Sequence, residues 1–363
     1  MSSLAAEPFV LPPGCADIAA QVESMLRAFL GGQRAEVEAR ENTVGPAFDE
    51  LQRVIDAGGK RLRPVFCCLG HLAGGGRLEE PILMAAAALE LLHTFAVVHD
   101  DVMDRSRTRR GQPTTWTHLA EGHRRAGLRG DAERYGISTA VLVGDLAIAL
   151  ADQAFLGCGF PADRLLDGME RYNRMRTDMV AGQFLDVEAS QRDELPEEQA
   201  RRIAVLKSGV YTVEGPLHIG AVLAGGSDEL LRCLTAYGVA LGEAFQLRDD
   251  VLGLVGDPGV TGKDRDADLL EGKRTVLVAR AMVAASPEDR AFLAGRLGHD
   301  DVTPAEVERM RSIIESSGAL ASTLELIEVL SGRARSALDP SLIGADVAVL
   351  LDEMGEVLAA RPR

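Results

Sequence analysis

The sequence of 363 residues predicts an all-α protein. Apolar residues recur at helical spacing over most of its length, as in the stretch 22–30. Two helix starts are marked at 286–289 and 303–306 by a capping residue, a proline and an acid. Strand signals are weak, because the one Asp-Gly pair, Asp167-Gly168, lies inside a helical pattern.

The chain is predicted to form one helical domain over 15–363, after a flexible tail of residues 1–14. The tail has neither a basic start nor a long apolar core, so we expect no signal peptide. The apolar stretch 81–98 resembles a membrane span. It nevertheless contains Glu90 and His93 and leads into three aspartates, so we interpret it as a buried helix and expect no transmembrane segment.

Three breaks interrupt the helical pattern. The glycines at 74–76 end one helix. The charged, glycine-containing stretch 118–136 is interpreted as a mobile surface insertion. A second apolar helical stretch, 230–241, leads to another group of aspartates, and the residues 253–268 after it have the composition of a loop.

Composition excludes some classes of partner. The formal charge of −16 argues against nucleic acid or an anionic membrane, so any anionic ligand must be bound by a local basic patch. The five cysteines lack metal-ligand spacing and are predicted to be small core residues in a reducing, cytoplasmic compartment. An apolar content of 46% is ample for a core.

The most informative feature is a pair of aspartate runs, each at the end of an apolar stretch. The first is His99-Asp100-Asp101-Val102-Met103-Asp104 and the second is Arg248-Asp249-Asp250-Val251-Leu252-Gly253. A helix places positions four apart on one face, where like charges repel. The runs therefore predict a bound cation, whereas we expect His99 only to pack or hydrogen-bond at the helix end.

Basic residues near these runs are unusual. The chain has four lysines against 35 arginines, and the four are Lys60, Lys207, Lys263 and Lys273. A lysine presents a compact point charge, which suits contact with phosphate, and three of the four lie beside glycine-rich turns. Arginines at 105, 107, 109 and 110 follow the first run. Carboxylates beside such cations suit a Mg²⁺–diphosphate ligand, because Mg²⁺ is commonly held by one or two carboxylates and substrate phosphates.

The motifs together resemble those of the trans-isoprenyl diphosphate synthases, or polyprenyl synthetases, over about residues 45 to 280. The resemblance rests on 59–64 (GKRLRP), on 90–93 (ELLH) leading to Asp100–Asp104, on 109–114 (RRGQPT), on 144–146 (GDL), on 182–186 (GQFLD) and on 245–250 (FQLRDD). It implies a bundle of antiparallel helices around a deep central cavity, usually homodimeric, with the aspartate motifs facing each other across its mouth.

The resemblance also implies roles for individual residues. Asp100, Asp104 and Asp249 are expected to hold Mg²⁺ ions that bind the diphosphate of an allylic substrate, with Asp101, Asp250 and Asp186 as supporting acids. The allylic diphosphate is expected to contact Arg109, Gln183, Lys207, Ser208, Gln246, Lys263 and Lys273. Isopentenyl diphosphate is expected to contact Lys60, Arg63, His93 and Arg110.

The expected reaction is the Mg²⁺-dependent condensation of isopentenyl diphosphate with an allylic diphosphate to give a short all-trans prenyl diphosphate. Phe95 and Ala96, about one turn before Asp100, are expected to limit chain length. We favour geranylgeranyl diphosphate, with farnesyl diphosphate as the alternative. A class I terpene cyclase and a non-catalytic regulatory subunit are the alternatives of other classes. The second motif departs from the common family pattern, because Gly253 stands at its third acidic position.

Overall fold

A computed structural model describes residues 9–256, 266–299 and 301–359. Within these residues the secondary structure is almost entirely helical, which confirms the predicted fold class. The helices are α1 (Pro13–Glu38), α2 (Gly45–Asp56), α3 (Leu62–Ala73), α4 (Glu80–Met103), α5 (Thr115–Arg125), α6 (Ala132–Leu156), α7 (Ala162–Ala189), α8 (Glu197–Ala204), α9 (Gly215–Ala224), α10 (Asp228–Val255), α11 (Ala267–Leu270), α12 (Val276–Ala284), α13 (Pro287–Arg296), α14 (Pro304–Ser316), α15 (Ala319–Ala337), α16 (Pro340–Ile343) and α17 (Ala345–Ala359).

Four further elements complete the description. A 3₁₀ turn spans Asn42–Val44, a π-helical segment spans Val205–Glu214, and the strands β1 (Thr108–Arg109) and β2 (Gln112–Pro113) pair antiparallel. Below we call 205–214 the π-segment. Helix α1 begins at Pro13, slightly before the predicted end of the N-terminal tail, whose residues 1–8 lie outside the described residues.

The described residues fall into two compact units. The first comprises Pro13–Cys68 and Arg77–Leu165, and the second comprises the described parts of Met1–Pro12, Leu69–Gly76 and Leu166–Arg363. Each unit contains one long helix that ends in an aspartate run, α4 in the first and α10 in the second. The single domain expected from the sequence stays a prediction.

The first unit is organised around α4. Nearly every residue from Ile82 to Leu92 is buried, and α4 packs against α1, α2, α5 and α6. This arrangement confirms that 81–98 belongs to a buried helix. By length and composition alone, α4 and α6 could each cross a membrane, but 61% and 44% of their most apolar windows are buried within the protein.

The stretch 118–136 is not the mobile insertion that its charged composition indicates. Residues up to Arg125 belong to α5, those from Ala132 belong to α6, and only 126–131 connect the two helices. The helices pack closely, since a methyl group on Gly136 would lie 2.2 Å from the Trp116 carbonyl oxygen. The apolar signal is weak because three of the five buried residues of α5, Thr115, Thr117 and His123, are polar.

The second unit is organised around α10, which packs against α9, α15, α17 and the π-segment. The predicted helix starts are confirmed: Ser286 caps α13, and Thr303 forms a capping box with Glu306 at the start of α14. Helix α3 ends at Ala73, as the glycines at 74–76 predict. Helix α10 continues through Gly253 to Val255 and α11 begins at Ala267, so the stretch 253–268 predicted as a loop is helical at both ends, and its residues 257–265 lie outside the described residues.

The cysteines are free thiols, and all except the half-buried Cys233 are buried. Burial raises the pKa of Cys68 to about 12 and that of Cys67 well above its usual range. They therefore behave as the small core residues that the sequence predicts.

Candidate active site

The aspartates of the first run lie at the carboxyl end of α4. The Asp104 N–H donates to the Asp100 carbonyl oxygen at 2.8 Å, so these two residues follow each other by one helical turn on one face. Both side chains are half-buried, whereas Asp101 is only 3% exposed. The helix thus presents two accessible carboxylates and holds a third inside.

The β1–β2 hairpin brings a guanidinium group to these carboxylates. Its two turn residues, Arg110 and Gly111, have φ of +54° and +70°, which is the backbone of a type I′ turn. Arg109, directly before the turn, donates from Nε to Asp101 Oδ1 at 2.7 Å and from Nη2 to Asp100 Oδ2 at 3.5 Å. The sequence motif around Gly111 is therefore the means of placing Arg109.

Burial and charge oppose each other in this pair. Burial raises the pKa of Asp101 to about 6, although the charge and hydrogen bond of Arg109 act to lower it. Burial acts to lower the pKa of Arg109, but the charges of Asp101 and Asp100 outweigh it and raise the pKa. Arg109 thus stays cationic while half-buried, which is what an anionic ligand requires.

A cleft of about 540 Å³ opens beside this pair in the first unit. Its polar lining includes Arg53, Arg61, Glu90, His93, Asp101, Arg109 and Arg110. Burial, followed by the charges of Arg63, Arg110, Arg109 and Arg61, holds the pKa of His93 well below its usual range. His93 is therefore a neutral hydrogen-bonding group surrounded by cations.

The remaining predicted contacts for isopentenyl diphosphate lie at the start of α3. Lys60 is exposed in the connection before the helix, and Arg63 lies in its first turn. Between them, Arg61 adopts a left-handed φ of +47°. Its guanidinium donates to Glu90, to Glu23 at 2.9 Å and to the Ile55 carbonyl oxygen at 2.8 Å. Sequence reasoning assigned no role to Arg61, which anchors the backbone between the two predicted contacts.

His99 and Phe95 are neighbours on α4, with ring centroids 4.6 Å apart. His99 Nε2 lies 3.1 Å from the Val141 carbonyl oxygen, so the expectation of a hydrogen bond at the helix end is confirmed. A methyl group on Gly144 would lie 2.3 Å from this imidazole, which explains a glycine there. Phe95 and Ala96 are half-buried, and their role in chain length stays a prediction.

In the second unit, α7 and the π-segment share a short ion pair. Lys207 Nζ donates to Asp186 Oδ2 at 2.7 Å. Gln183 lies about one turn before Asp186 on α7, and Ser208 follows Lys207 in the π-segment. All four side chains are half-buried. The structure therefore pairs Lys207, a predicted contact of the allylic diphosphate, with Asp186, one of the predicted supporting acids.

The second aspartate run lies near the end of α10. Gln246 donates from Nε2 to Asp250 Oδ1 at 2.7 Å, and Asp250 is 9% exposed. Asp249 is half-buried beside Arg248, and burial lowers the pKa of Arg248 although the charge of Asp249 acts to raise it. The run therefore repeats the pattern of α4, with one accessible carboxylate and one held inside.

The position of the missing third acid is filled from another segment. A methyl group on Gly253 would lie 2.7 Å from Asp268 Oδ2, and Lys273 Nζ lies 3.6 Å from Asp268 Oδ1. Asp268 and Lys273 line a cleft of about 290 Å³ together with Asp250 and Gly253. Sequence reasoning missed Asp268, because nothing in its spacing connects it to Gly253. Lys263, another predicted contact, lies outside the described residues.

The donor chemistry fits Mg²⁺ when phosphate completes the coordination. Among the residues that the structure describes, no three His, Cys, Asp or Glu side chains converge into a ready-made metal site. Mg²⁺ accepts such incomplete sets, since it takes one or two carboxylates and fills the other positions with water and substrate phosphate. Asp100, Asp104 and Asp249 are half-buried oxygen donors of this kind.

Comparison with known proteins identifies the family of the chain. The family model described as polyprenyl synthetase matches residues 48–314. A geranylgeranyl diphosphate synthase of Methanosarcina mazei is 34% identical over 298 residues, covering 78% of this chain and 85% of that protein. A geranylfarnesyl diphosphate synthase of Aeropyrum pernix is 34% identical, covering 74% of this chain and 79% of that protein.

A solved structure is similar throughout. The geranylgeranyl pyrophosphate synthase of Corynebacterium glutamicum, crystallised with isoprenyl diphosphate and magnesium, has a TM-score of 0.90 and 34% identity. The similarity covers 95% of this chain and 98% of that one. The chain therefore belongs to the polyprenyl synthetase family, a family of trans-prenyltransferases.

Proposed function

We propose that this trans-prenyltransferase condenses isopentenyl diphosphate with allylic diphosphates in the presence of Mg²⁺ and that its main product is geranylgeranyl diphosphate. The observation that carries the proposal is the contact of Arg109 with Asp101 and Asp100 beside a cleft lined by further arginines. Carboxylates and guanidinium groups in one place suit a ligand that is both metal-bound and anionic.

We assign the residues as the family motifs imply. Asp100, Asp104 and Asp249 hold the metal ions. Arg109, Gln183, Lys207, Ser208, Gln246, Lys263 and Lys273 bind the allylic diphosphate, and Lys60, Arg63, His93 and Arg110 bind isopentenyl diphosphate. The neutral His93 donates one hydrogen bond to a phosphate oxygen, and the arginines supply the charge.

The chemistry explains the residue types. The bond between the allylic carbon and the diphosphate oxygen breaks with both electrons leaving on oxygen, and fixed cations such as Arg109 and Lys207 stabilise the charge that develops. The double bond of isopentenyl diphosphate then attacks the allylic cation, and transfer of a proton from the condensed cation to the released diphosphate forms the new trans double bond. Bound Mg²⁺ supplies further neutralisation of the leaving diphosphate.

The similar proteins bear on which prenyl diphosphate is the main product. Synthases named for geranylgeranyl diphosphate occur among both the similar sequences and the similar structures, which supports this product. The Aeropyrum pernix relative is named for a product one isoprene unit longer. Farnesyl diphosphate, one unit shorter, stays the alternative from the sequence.

The test is incubation of the purified chain with Mg²⁺, isopentenyl diphosphate and dimethylallyl, geranyl or farnesyl diphosphate in turn. We expect geranylgeranyl diphosphate to dominate when products are separated by liquid chromatography and identified by mass. Hydrocarbons or alcohols formed without consumption of isopentenyl diphosphate would indicate a terpene cyclase. Absence of turnover with every primer would refute the proposal and favour a regulatory subunit.

A substitution at Phe95 tests what limits the product. If its ring blocks the growing chain, Phe95→Ala lengthens the product and Phe95→Tyr, which keeps a ring, leaves it unchanged. An unchanged product in Phe95→Ala would show that another residue limits growth.

We also propose that the protein is a cytoplasmic homodimer that carries no membrane-spanning helix. The free, buried thiols support a reducing compartment. The dimer is implied by the family resemblance. The exposed face of α6, which carries Tyr135, Ile137, Val141 and Leu142, supports it.

A further inference from the structure

We infer that Gly182 and Gly242 are positioning residues for Lys207: their missing side chains allow α7 and α10 to fix the backbone of the π-segment where Lys207 meets the allylic diphosphate. The inference rests on the proposed function, which assigns Lys207 to that diphosphate. It adds two residues that bind no substrate and act through another side chain.

Helix α7 contacts Lys207 at its backbone and at its ammonium group. A methyl group on Gly182 would lie 2.5 Å from the Lys207 backbone nitrogen and 2.8 Å from its Cα. One turn later on the same face, Asp186 accepts a hydrogen bond from Lys207 Nζ at 2.7 Å. The absence of a side chain on Gly182 therefore allows the Lys207 backbone to lie close to α7, and Asp186 directs the ammonium group of Lys207.

Helix α10 contacts the π-segment at Gly209, two residues after Lys207. A methyl group on Gly242 would lie 2.5 Å from the Gly209 carbonyl oxygen, and one on Gly209 would lie 3.1 Å from the Gly242 carbonyl carbon. Gln246 and Asp249 follow Gly242 by four and seven positions, so they lie on the same face of α10. This contact thus sets the distance from the π-segment to the face that carries two predicted ligands.

The π-helical backbone makes these contacts necessary. A π-helix is rare and usually limited to a single turn, yet the π-segment extends over ten residues. Close packing from α7 on one side and α10 on the other holds a π-helix of this length in place. Both contacts are to backbone atoms, which cannot rotate away as the end of a side chain can. Moving from 2.5 Å to an ordinary contact of 3.4 Å requires a shift of about 0.9 Å.

The experiment compares Gly182→Ala and Gly242→Ala with Gly332→Ala, a helical glycine of α15 with nothing within 4 Å of an added methyl group. Each substrate is varied separately in steady-state kinetics. A shift of this size in a substrate contact costs about 10²-fold, so we expect kcat/KM for the allylic substrate to fall by about that factor. We expect an unchanged KM for isopentenyl diphosphate and wild-type kinetics in Gly332→Ala.

A coupling measurement separates positioning from general damage. If Gly182 acts through Lys207, then Gly182→Ala added to Lys207→Ala causes no further loss of kcat/KM. An equal fold loss in both backgrounds overturns the inference. So does wild-type behaviour of the glycine variants, whereas an inactive wild type refutes the proposed function instead.

Folding of the variants is checked by circular dichroism and thermal unfolding. If Gly182→Ala does not fold, Gly209→Ala replaces it, because its closest contact of 3.1 Å demands a smaller shift. If neither folds, these contacts serve stability and not the placement of Lys207, and the inference is wrong.

Discussion

Gly253 stands at the third acidic position of the second aspartate motif, yet a carboxylate from another segment lies beside it. The Asp268 carboxylate occupies the space where a side chain at 253 would begin. We expect Gly253→Asp, which restores the common family pattern, to lower the stability by about 1 kcal/mol because two carboxylates then compete for one half-buried place. Chemical denaturation measures this loss.

A double variant tests the cause of that loss. If repulsion between carboxylates is responsible, adding Asp268→Asn to Gly253→Asp recovers most of the stability. A loss that is the same with and without Asp268→Asn would show that the helix itself rejects a side chain at this position.

The pair of Arg109 and Asp101 makes a second prediction at this scale. Arg109→Ala leaves a buried carboxylate without its ion-pair partner. About a third of the Arg109 side chain is exposed, so we expect a loss nearer 2 kcal/mol than the full value for a buried pair. The double variant Arg109→Ala with Asp101→Asn should lose less than the single one.

The matched control is Arg107→Ala, two residues earlier. Its ion pair with Glu133 has both side chains largely exposed, and its guanidinium lies 5.1 Å from the centroid of the Trp116 ring, so its loss should stay below about 1 kcal/mol. Equal losses at the two arginines would contradict a special role for the buried carboxylate.

At the residue scale, sequence predicted the charged side chains better than their partners. Helical spacing alone relates Asp100 to Asp104, because both belong to one turn of one helix. No local rule relates Asp186 to Lys207 or Gly253 to Asp268, since those contacts depend on how separate elements pack. Arg61 was missed for the same reason, as its partners come from α1, α2 and α4.

At the element scale, α9 makes stability depend on pH. This helix is buried almost all round, and His218 within it lies 3.1 Å from the Leu231 carbonyl oxygen and 2.9 Å from Thr235 Oγ1. Burial, with the charge of Arg171, lowers the pKa of His218 to about 4. The unfolded chain therefore takes up a proton below about pH 6.5 that the folded chain refuses until about pH 4.

The sign follows from that difference. Above pH 6.5 His218 is neutral in both the folded and the unfolded chain, and the effect is absent. As the pH falls from 6.5 to 4, His218 lowers the free energy of unfolding by about 1.4 kcal/mol for each pH unit. Urea unfolding at several pH values should show a shallower decline in His218→Gln than in the wild type. His299→Gln, on the surface, serves as control, and equal slopes in all three proteins would contradict the assignment.

The elements themselves were predictable where one face is strongly apolar or the cap is marked. Helices α4 and α10 have long apolar stretches, and α13 and α14 begin with Ser-Pro and Thr-Pro. Composition misled at 118–136, because Thr115, Thr117 and His123, three of the five buried residues of α5, are polar. The π-segment has no sequence signature of its own. It accompanies close packing at Gly182 and Gly242, which depends on how separate helices meet and leaves no local pattern.

At the scale of the whole molecule, net charge and local charge have opposite signs. The chain carries −16, yet the cleft of the first unit collects Arg53, Arg61, Arg109 and Arg110 around two buried acids. A globally negative surface repels anions in general, so the diphosphate binding that we propose would depend on short-range contacts and on Mg²⁺. This is the local basic patch that composition required.

The remaining property of the whole molecule is its assembly, on which the exposed face of α6 makes a prediction. Tyr135, Ile137, Val141 and Leu142 are each at least 37% exposed, and Leu142 is 64% exposed. We expect such exposed apolar side chains on one helix to mark an interface. If a second copy covers this face, Leu142→Glu places a charge in the interface and should convert a dimer into a monomer, measured by size-exclusion chromatography with light scattering. Val349→Glu on α17, at 57% exposure, should leave the dimer intact, and a wild-type monomer or an unaffected Leu142→Glu dimer would show that this face pairs with nothing.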